Sequence, residues 1–240
     1  DEVLVKLSDN RFVSVLGASG SGKSSLMYCG LIPTLYGGFM TTAGSNWRIV
    51  VTRPGGGPID NLAEALLQKN KEYQQLGNED KLIKKTITGT VLRSCSLGLV
   101  EAVKQLKSSE KENFLILVDQ FEELFRYKKI EAVNSESDES SAFVNLLLEA
   151  INQYTEPIYV ALTMRSDFIG ECAQFPNLTQ MINDSHYLIP QMTRDQKRLA
   201  IEGPVAVGGG TITGRLSQQL LNDVGDNPDH LPVLQHALMR

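Results

Sequence analysis

Short apolar runs alternate along this chain with longer segments in which apolar residues recur every three or four positions. The apolar runs are rich in Val, Ile and Leu, which is typical of strands covered on both faces. They occupy residues 12–16, 48–52, 114–118, 158–163 and, more weakly, 186–189. The helical spacing occupies residues 24–35, 61–69, 90–107, 121–127, 142–154 and 193–202. Strands that alternate with helices of this length predict a parallel sheet built from βαβ units, and the fold class is therefore α/β.

The local composition of the sequence changes after residue 203. The stretch GPVAVGGGTITG is typical of a turn-rich connector, and residues 215–240 predict two helices separated near residues 226–232. We therefore expect a large α/β domain over residues 1–191 and the start of a small helical domain over residues 192–240. Because the chain opens with Asp-Glu rather than Met, we expect it to be part of a longer protein.

The composition is that of an ordinary globular protein, with 42% hydrophobic and 21% charged residues. The net charge of −5 gives no electrostatic indication of a nucleic-acid partner. The longest apolar runs are far shorter than the ~20 residues that span a bilayer, and no secretory leader is visible. Three widely spaced cysteines argue against a disulfide framework or a zinc site, so we predict a reducing, cytoplasmic location.

Residues 69–85 and 131–141 are polar enough to be solvated, the second as a loose acidic loop.

The most informative segment is GASGSGKS at residues 17–24, which fits the pattern G-x-x-x-x-G-K-[ST]. It lies between a predicted strand and a predicted helix, the context in which glycines let backbone N–H groups point at phosphate oxygens. Lys23 supplies a full charge for the β- and γ-phosphates, and the hydroxyl of Ser24 is suited to a magnesium ion. The residues predicted to bind the nucleotide phosphates are Gly17, Ala18, Ser19, Gly20, Ser21, Gly22, Lys23, Ser24 and Ser25.

Acidic residues follow the apolar strand at residues 114–118. Asp119 stands where a magnesium-holding carboxylate is expected, although it could also cap the next helix. Hydrolysis needs a base that orients the attacking water, and Gln120 cannot take a proton. Glu122 is our candidate for this base, and Glu123 is the alternative. One of the two glutamates needs no catalytic role to explain it, because the N-terminus of a helix favours acidic side chains.

Two arginines follow predicted strands. Arg165 follows the strand at residues 158–163, and ligands of open α/β sheets bind at the carboxyl ends of strands. We expect Arg165 to face the terminal phosphate and stabilise its charge; the alternative is a surface arginine paired with Asp167. Arg53 follows the strand at residues 48–52, in RPGGGP. If that strand lies at the sheet edge, Arg53 is remote from the nucleotide of its own subunit. We then expect it to shape the loop, and the alternative is a contact across subunits.

With these residues in place, the chain resembles the nucleotide-binding domain of STAND-class P-loop ATPases. Within that class it is most similar to the novel STAND group of multidomain signalling proteins, which often carry WD-type repeats. The matching stretches are spread over nearly the whole chain: VLGASGSGKSSLMYCGLIPTL, RPGGGP, LILVDQFEELF, ALTMRSDFIGECA, IEGPVAVGG and DVGDNPDHLPVLQHAL.

The resemblance implies a three-layer α/β/α fold with a parallel sheet of order 5-1-4-3-2. That order would bring Arg165 between Lys23 and Asp119, in the position of a phosphate sensor. The resemblance also implies a helical domain with Pro232 near the adenine, although His230 stands where relatives often have glycine. The implied ligands are ATP or ADP with Mg²⁺, and the implied partners are sensor repeats and an effector domain of the parent chain.

The function predicted from these features is an ATP/ADP switch that hydrolyses ATP slowly and forms a homo-oligomer in one nucleotide state. Two alternatives stay open: an AAA+-like motor with steady turnover, and a scaffold that binds nucleotide without cleaving it. The absence of an acidic residue at position 120 and the predicted helical annex favour the switch. The sequence has no NKxD motif and no LSGGQ-like signature, which argues against a GTPase and a transporter ATPase.

Overall fold

A five-stranded parallel sheet forms the centre of the protein in the computed structural model, which describes residues 1–134 and 138–224. The strands are β1 (Phe12–Gly17), β2 (Trp47–Thr52), β3 (Asn113–Val118), β4 (Ile158–Arg165) and β5 (His186–Leu188). Their order is β2-β3-β4-β1-β5, and all four neighbouring pairs are parallel. All five predicted strands are confirmed. This strand order is the expected 5-1-4-3-2, written from the opposite edge of the sheet.

Both faces of the sheet are buried, which explains why its strands appear in the sequence as continuous apolar runs. In β3, Phe114, Ile116 and Val118 contribute to one hydrophobic cluster, whereas Leu115 and Leu117 contribute to a second. This alternation follows from the two-residue period of a strand.

Helices cover the two faces and complete a three-layer α/β/α arrangement. In chain order they are α1 (Glu2–Asn10), α2 (Lys23–Ser25), α3 (Ile32–Tyr36), α4 (Pro58–Leu67), α5 (Lys71–Gln75), α6 (Asn78–Ser94), α7 (Gly98–Leu106), α8 (Glu123–Asn134), α9 (Glu139–Asn152), α10 (Pro176–Asp184), α11 (Arg194–Val207) and α12 (Gly214–Val224). A π-helical turn (Leu26–Leu31) joins α2 to α3, and a 3₁₀ segment (Ser166–Gln174) follows β4. Helix α1 and the helical segment 23–36 pack on one face; α4, α7, α9 and α10 pack on the other.

The helix predicted over residues 90–107 is in fact two helices, α6 and α7, which are separated by residues 95–97. The turn between them depends on Gly98, because a Cβ there would lie 2.4 Å from the carbonyl oxygen of Val91. Residues 69–85, expected to be solvated, contain α5 and the start of α6. Most of their side chains are exposed, but Tyr73 is buried and its hydroxyl donates to Glu64.

The acidic stretch at residues 131–141 was expected to be a loose loop, but most of its described residues are helical. It contains the end of α8 and the start of α9, while residues 135–137 lie outside the described part. Glu131 is buried and its carboxylate accepts a hydrogen bond from the Ser140 hydroxyl at 3.0 Å. A buried carboxylate with hydrogen-bond partners holds the two helices together at this point.

Beyond the sheet, α11 and α12 pack against each other through Ile201 and Leu221, in a cluster distinct from the two sheet clusters. Helix α11 continues through Pro204 to Val207, so the predicted turn-rich connector begins later than expected. The domain division between residues 191 and 192 stays a prediction. Among the described residues, no helix combines the length and apolar character needed to cross a bilayer.

Candidate functional site

The loop between β1 and α2 is shaped to surround an anion. Gly20 and Gly22 have φ angles of 70° and 88°, a conformation that side-chain-bearing residues rarely adopt. A Cβ on Gly17 would lie 2.5 Å from Ser21 Oγ, so a larger residue there would displace this hydroxyl. Ser21 Oγ is buried and has no hydrogen-bond partner among the described residues. A curled loop with such a hydroxyl fits a bound phosphate group.

A cavity of about 240 Å³ lies over this loop and the carboxyl ends of β3 and β4. Its lining contains residues 19–25 together with Asp119, Glu122 and Arg165. Gly17 and Ala18 line an adjoining cavity of about 280 Å³. The structure therefore brings together predicted site residues from three separate parts of the chain, but Glu123 is not among them.

The side chains predicted to hold magnesium contact each other at the floor of this cavity. Ser24 Oγ donates to Asp119 Oδ1 at 2.9 Å, and Thr163 Oγ1 donates to the same oxygen at 2.6 Å. The guanidinium of Arg53 donates to Oδ2 at 3.0 and 3.3 Å. Burial raises the pKa of Asp119, but the hydrogen bonds from Thr163, Ser24 and Arg53 outweigh it, so the net shift is downward. An ionised carboxylate beside a hydroxyl fits Mg²⁺, which prefers oxygen ligands.

Lys23 lies folded over the loop that carries it. Its Nζ donates to the carbonyl oxygens of Gly17 at 2.9 Å and Ala18 at 2.7 Å. Partial burial lowers the pKa of Lys23, and the negative charge of Glu122 acts in the opposite direction. The ammonium group is thus already held at the place where phosphate oxygens would enter.

Glu122 and Glu123, the two candidates for the base, have different surroundings. Glu122 is buried, lines the cavity, and its Oε2 accepts the backbone N–H of Arg165 at 3.3 Å. Glu123 begins α8, and its Oε2 accepts the backbone N–H of Gly55 at 3.0 Å, in the loop after β2. Glu122 is therefore the glutamate placed beside the phosphate loop, and its role as the base stays a prediction.

Arg165 lies between the phosphate loop and Asp119, because β4 lies between β1 and β3 and Arg165 pairs with Gly17 in the register. Its Nε and Nη2 donate to the two carboxylate oxygens of Asp167 at 3.0 and 2.8 Å. This hydrogen-bonded pair lowers the pKa of Asp167. Arg165 thus lines the cavity and pairs with Asp167, while its contact with the terminal phosphate stays a prediction.

The structure adds two residues that the sequence analysis did not place in the site. Arg53 was expected to be remote, and that expectation is wrong although β2 does lie at the sheet edge. Strand β2 pairs directly with β3, with Thr52 opposite Val118, so the residues that follow these strands are neighbours. Thr163 was also missed; the signal was a hydroxyl at the end of an otherwise apolar strand.

Gln120, which follows Asp119, lines the same cavity and has a φ of 57°. This conformation is uncommon for a residue other than glycine. Its backbone N–H donates to Thr163 Oγ1 at 3.0 Å, which fixes the turn after β3. The predicted adenine contact, Pro232, lies outside the described residues.

The whole chain, residues 1–240, matches the family described as Novel STAND NTPase 1. This chain belongs to that family. The resemblance inferred from the motifs is thereby confirmed, and the protein is an NTPase of the STAND, P-loop type. A comparison with curated proteins gave no match.

Three solved structures share the fold. The Walker-type ATPase PABY2304 of Pyrococcus abyssi is 14% identical, with a TM-score of 0.58 over 96% of this chain and 64% of that one. The ORC2 protein of Aeropyrum pernix, in ADPNP–ADP complexes, is 10% identical, with a TM-score of 0.59 over 97% and 58%. The ORC1 protein of the same organism, in complex with DNA, is 14% identical, with a TM-score of 0.58 over 98% and 58%. At these identities the likeness concerns the fold alone, and this chain spans only 58–64% of the length of those proteins.

Proposed function

We propose that this chain is the nucleotide-binding switch domain of a larger signalling ATPase. It binds ATP or ADP with Mg²⁺, hydrolyses ATP slowly, and uses the bound nucleotide to control conformation and assembly. The observation that carries the proposal is the contact between Ser24 Oγ and Asp119 Oδ1, directly beside the phosphate loop and Lys23. When bound with the nucleotide, Mg²⁺ supplies positive charge that neutralises the phosphates.

The adjoining cavity of about 280 Å³ is suited to the base and sugar of the nucleotide. It is continuous with the phosphate loop at Gly17 and Ala18, and the segment after β5 lines it with Ile189, Pro190 and Met192. Apolar walls beside a polar loop are typical of small-molecule sites. Together with the absence of an NKxD motif, this supports adenine as the base.

Slow hydrolysis is supported by the contacts of the candidate catalytic groups. Glu122 accepts the backbone N–H of Arg165, and the guanidinium of Arg165 is bound to Asp167. Both side chains are thus already engaged within the protein, so turning them toward water or a phosphate competes with these contacts, and Gln120 offers no base in their place. The proposed partners are the sensor repeats and effector domain of the parent chain, together with further copies of the protein in one nucleotide state.

The test of nucleotide binding is Lys23→Ala, with Lys104→Ala as the matched control. Lys23 provides the full positive charge of the cradle, whereas Lys104 is a surface lysine on α7 paired with Glu101. Titration with a fluorescent ATP analogue should show loss of binding for Lys23→Ala and unchanged affinity for Lys104→Ala. We expect both melting temperatures to stay near the wild-type value. Undiminished affinity of Lys23→Ala would show that the loop is not the site.

The switch, motor and scaffold differ in turnover and assembly. Enzymes commonly turn over at about 1–10³ s⁻¹, and we expect phosphate release by the full-length protein to be slower than this range. Steady turnover within it would favour the motor, and no phosphate after long incubation would favour the scaffold. Light scattering of the full-length protein with Mg²⁺ and a non-hydrolysable ATP analogue should reveal a discrete oligomer that ADP does not produce.

A further inference from the structure

Arg53 reaches from the protein surface to a buried carboxylate. Its side chain is 55% exposed, whereas that of Asp119 is 1% exposed. Both Nη2 and Nε donate to Asp119 Oδ2, at 3.0 and 3.3 Å, while Oδ1 is bound by Ser24 and Thr163. Charge-assisted hydrogen bonds of this kind are among the stronger ones in proteins. Each carboxylate oxygen therefore has its own set of donors, and the donor on Oδ2 is a fixed positive charge.

The backbone that carries Arg53 is held in place by its own contacts. The amide of Asn61 donates to the carbonyl oxygens of Arg53 at 3.1 Å and Pro54 at 2.9 Å. Gly55 has a φ of 50° and donates its N–H to Glu123 Oε2 at 3.0 Å. A Cβ on Gly55 would lie 2.8 Å from Asn61 Nδ2. The loop is thus built to hold the guanidinium over Asp119.

A guanidinium and a magnesium ion cannot share the carboxylate of Asp119 without an energetic cost. Two like charges within a few ångströms repel each other, and the repulsion is weakly screened beside a buried group. Arg53 donates to Oδ2, whereas Ser24 donates to Oδ1, so a magnesium ion held by Ser24 and Asp119 would share the carboxylate charge with the guanidinium. The guanidinium therefore weakens the attraction of Asp119 for a magnesium ion.

We propose that Arg53 is a positioning residue that competes with Mg²⁺ for Asp119. While the guanidinium is on Oδ2, a higher Mg²⁺ concentration is needed for magnesium–nucleotide to bind. This rests on the proposed function, because it assumes that Asp119 serves a magnesium–nucleotide site.

The test compares Arg53→Ala, Arg53→Lys and the control Arg93→Ala. Arg93 pairs with Asp60 at 2.8 Å and Glu139 at 3.1 Å, away from the cavity, so its loss removes the same charge without touching Asp119. The affinity for a fluorescent ADP analogue is measured over a range of Mg²⁺ concentrations and in EDTA. We expect the half-saturating Mg²⁺ concentration to fall about five- to tenfold in Arg53→Ala, which at ~1.4 kcal/mol per tenfold is close to 1 kcal/mol. Arg53→Lys should lie between Arg53→Ala and the wild type, since lysine carries the charge without the fork.

An unchanged or higher Mg²⁺ requirement in Arg53→Ala would overturn the proposal. An equal gain of affinity in EDTA would also overturn it, because this result would indicate a general effect on the loop. So would an equal shift of the Mg²⁺ requirement in Arg93→Ala, because this result would indicate an effect of net charge. If Arg53→Ala melts well below the wild type, Arg53→Gln replaces it, because it keeps an amide donor and removes the charge. A wild-type chain that binds no nucleotide would overturn the proposed function and this inference together. A wild type that binds while Arg53→Ala is unchanged would overturn only the inference.

Discussion

Thr163→Val keeps the shape of a buried side chain at the end of β4 and removes its hydroxyl. That hydroxyl donates to Asp119 Oδ1 at 2.6 Å and accepts the backbone N–H of Gln120 at 3.0 Å. A hydrogen bond to a charged group contributes about 1.5–3 kcal/mol, and an ordinary one about 0.5–1.5 kcal/mol. We therefore expect the free energy of unfolding to fall by about 2–4 kcal/mol. At roughly 2–4 °C per kcal/mol for a domain of this size, the melting temperature should fall by about 5–15 °C.

The chain offers a matched control in Thr52→Val, at the end of β2. Thr52 is also buried, but its Oγ1 has no hydrogen-bond partner among the described residues. The same chemical change there removes an unpaired polar group, so stability should stay equal or rise. Both variants can be followed through the fluorescence of Trp47, the single and buried tryptophan, during thermal and urea unfolding. If Thr163→Val loses no more stability than Thr52→Val, the assigned role of the hydroxyl in holding Asp119 is wrong.

Two further predictions concern the acidic residues. Glu122→Gln should keep ATP binding and lower hydrolysis by about 10²–10⁴-fold, as expected for a lost general base. Glu123→Gln should lower it far less, because that carboxylate binds the amide of Gly55; the reverse order in a phosphate-release assay would exchange the two roles. The pKa of Asp119 is lowered from its ordinary 3.8, so its carboxylate stabilises the fold above that pH, and the stabilisation is lost as the pH falls through the lower, folded-state pKa. The melting temperature of Asp119→Asn should therefore lie below that of the wild type at pH 7 and approach it below pH 3.8; a gap that is independent of pH would contradict the assignment.

The strands and the phosphate loop were predictable because their signals are local. A buried parallel strand is a continuous apolar run, and the loop of residues 17–24 carries its glycines, Lys23 and Ser24 within eight positions. The break between α6 and α7 was not predictable from periodicity, since apolar spacing continues across it. It depends instead on the close approach of Gly98 to the backbone of the preceding helix.

The site beyond the loop was only partly predictable, because it depends on which strands are neighbours. Asp119 and Arg165 could be proposed from their positions after apolar strands. Arg53 could not, since edge strands were taken to end far from the nucleotide. Its long side chain crosses from β2 to the neighbouring strand end and reaches Oδ2 of Asp119. The separate directions of Glu122 and Glu123 likewise follow from the turn after β3, where Gln120 adopts its positive φ.

The charged groups of the site are balanced by contacts within the protein, and this bears on how a nucleotide can act as a switch. Lys23 is bound to the carbonyls of its own loop, Asp119 to Arg53, and Arg165 to Asp167. A phosphate or a metal ion that binds here, as proposed, competes with these contacts, so part of its binding energy is spent on breaking them. A ligand shifts a conformational equilibrium only through its different affinities for the two states. Because ATP and ADP differ by one phosphate, we expect them to break different numbers of these contacts. The contacts of Lys23, Asp119 and Arg165 are therefore where we expect the two nucleotides to affect the protein differently.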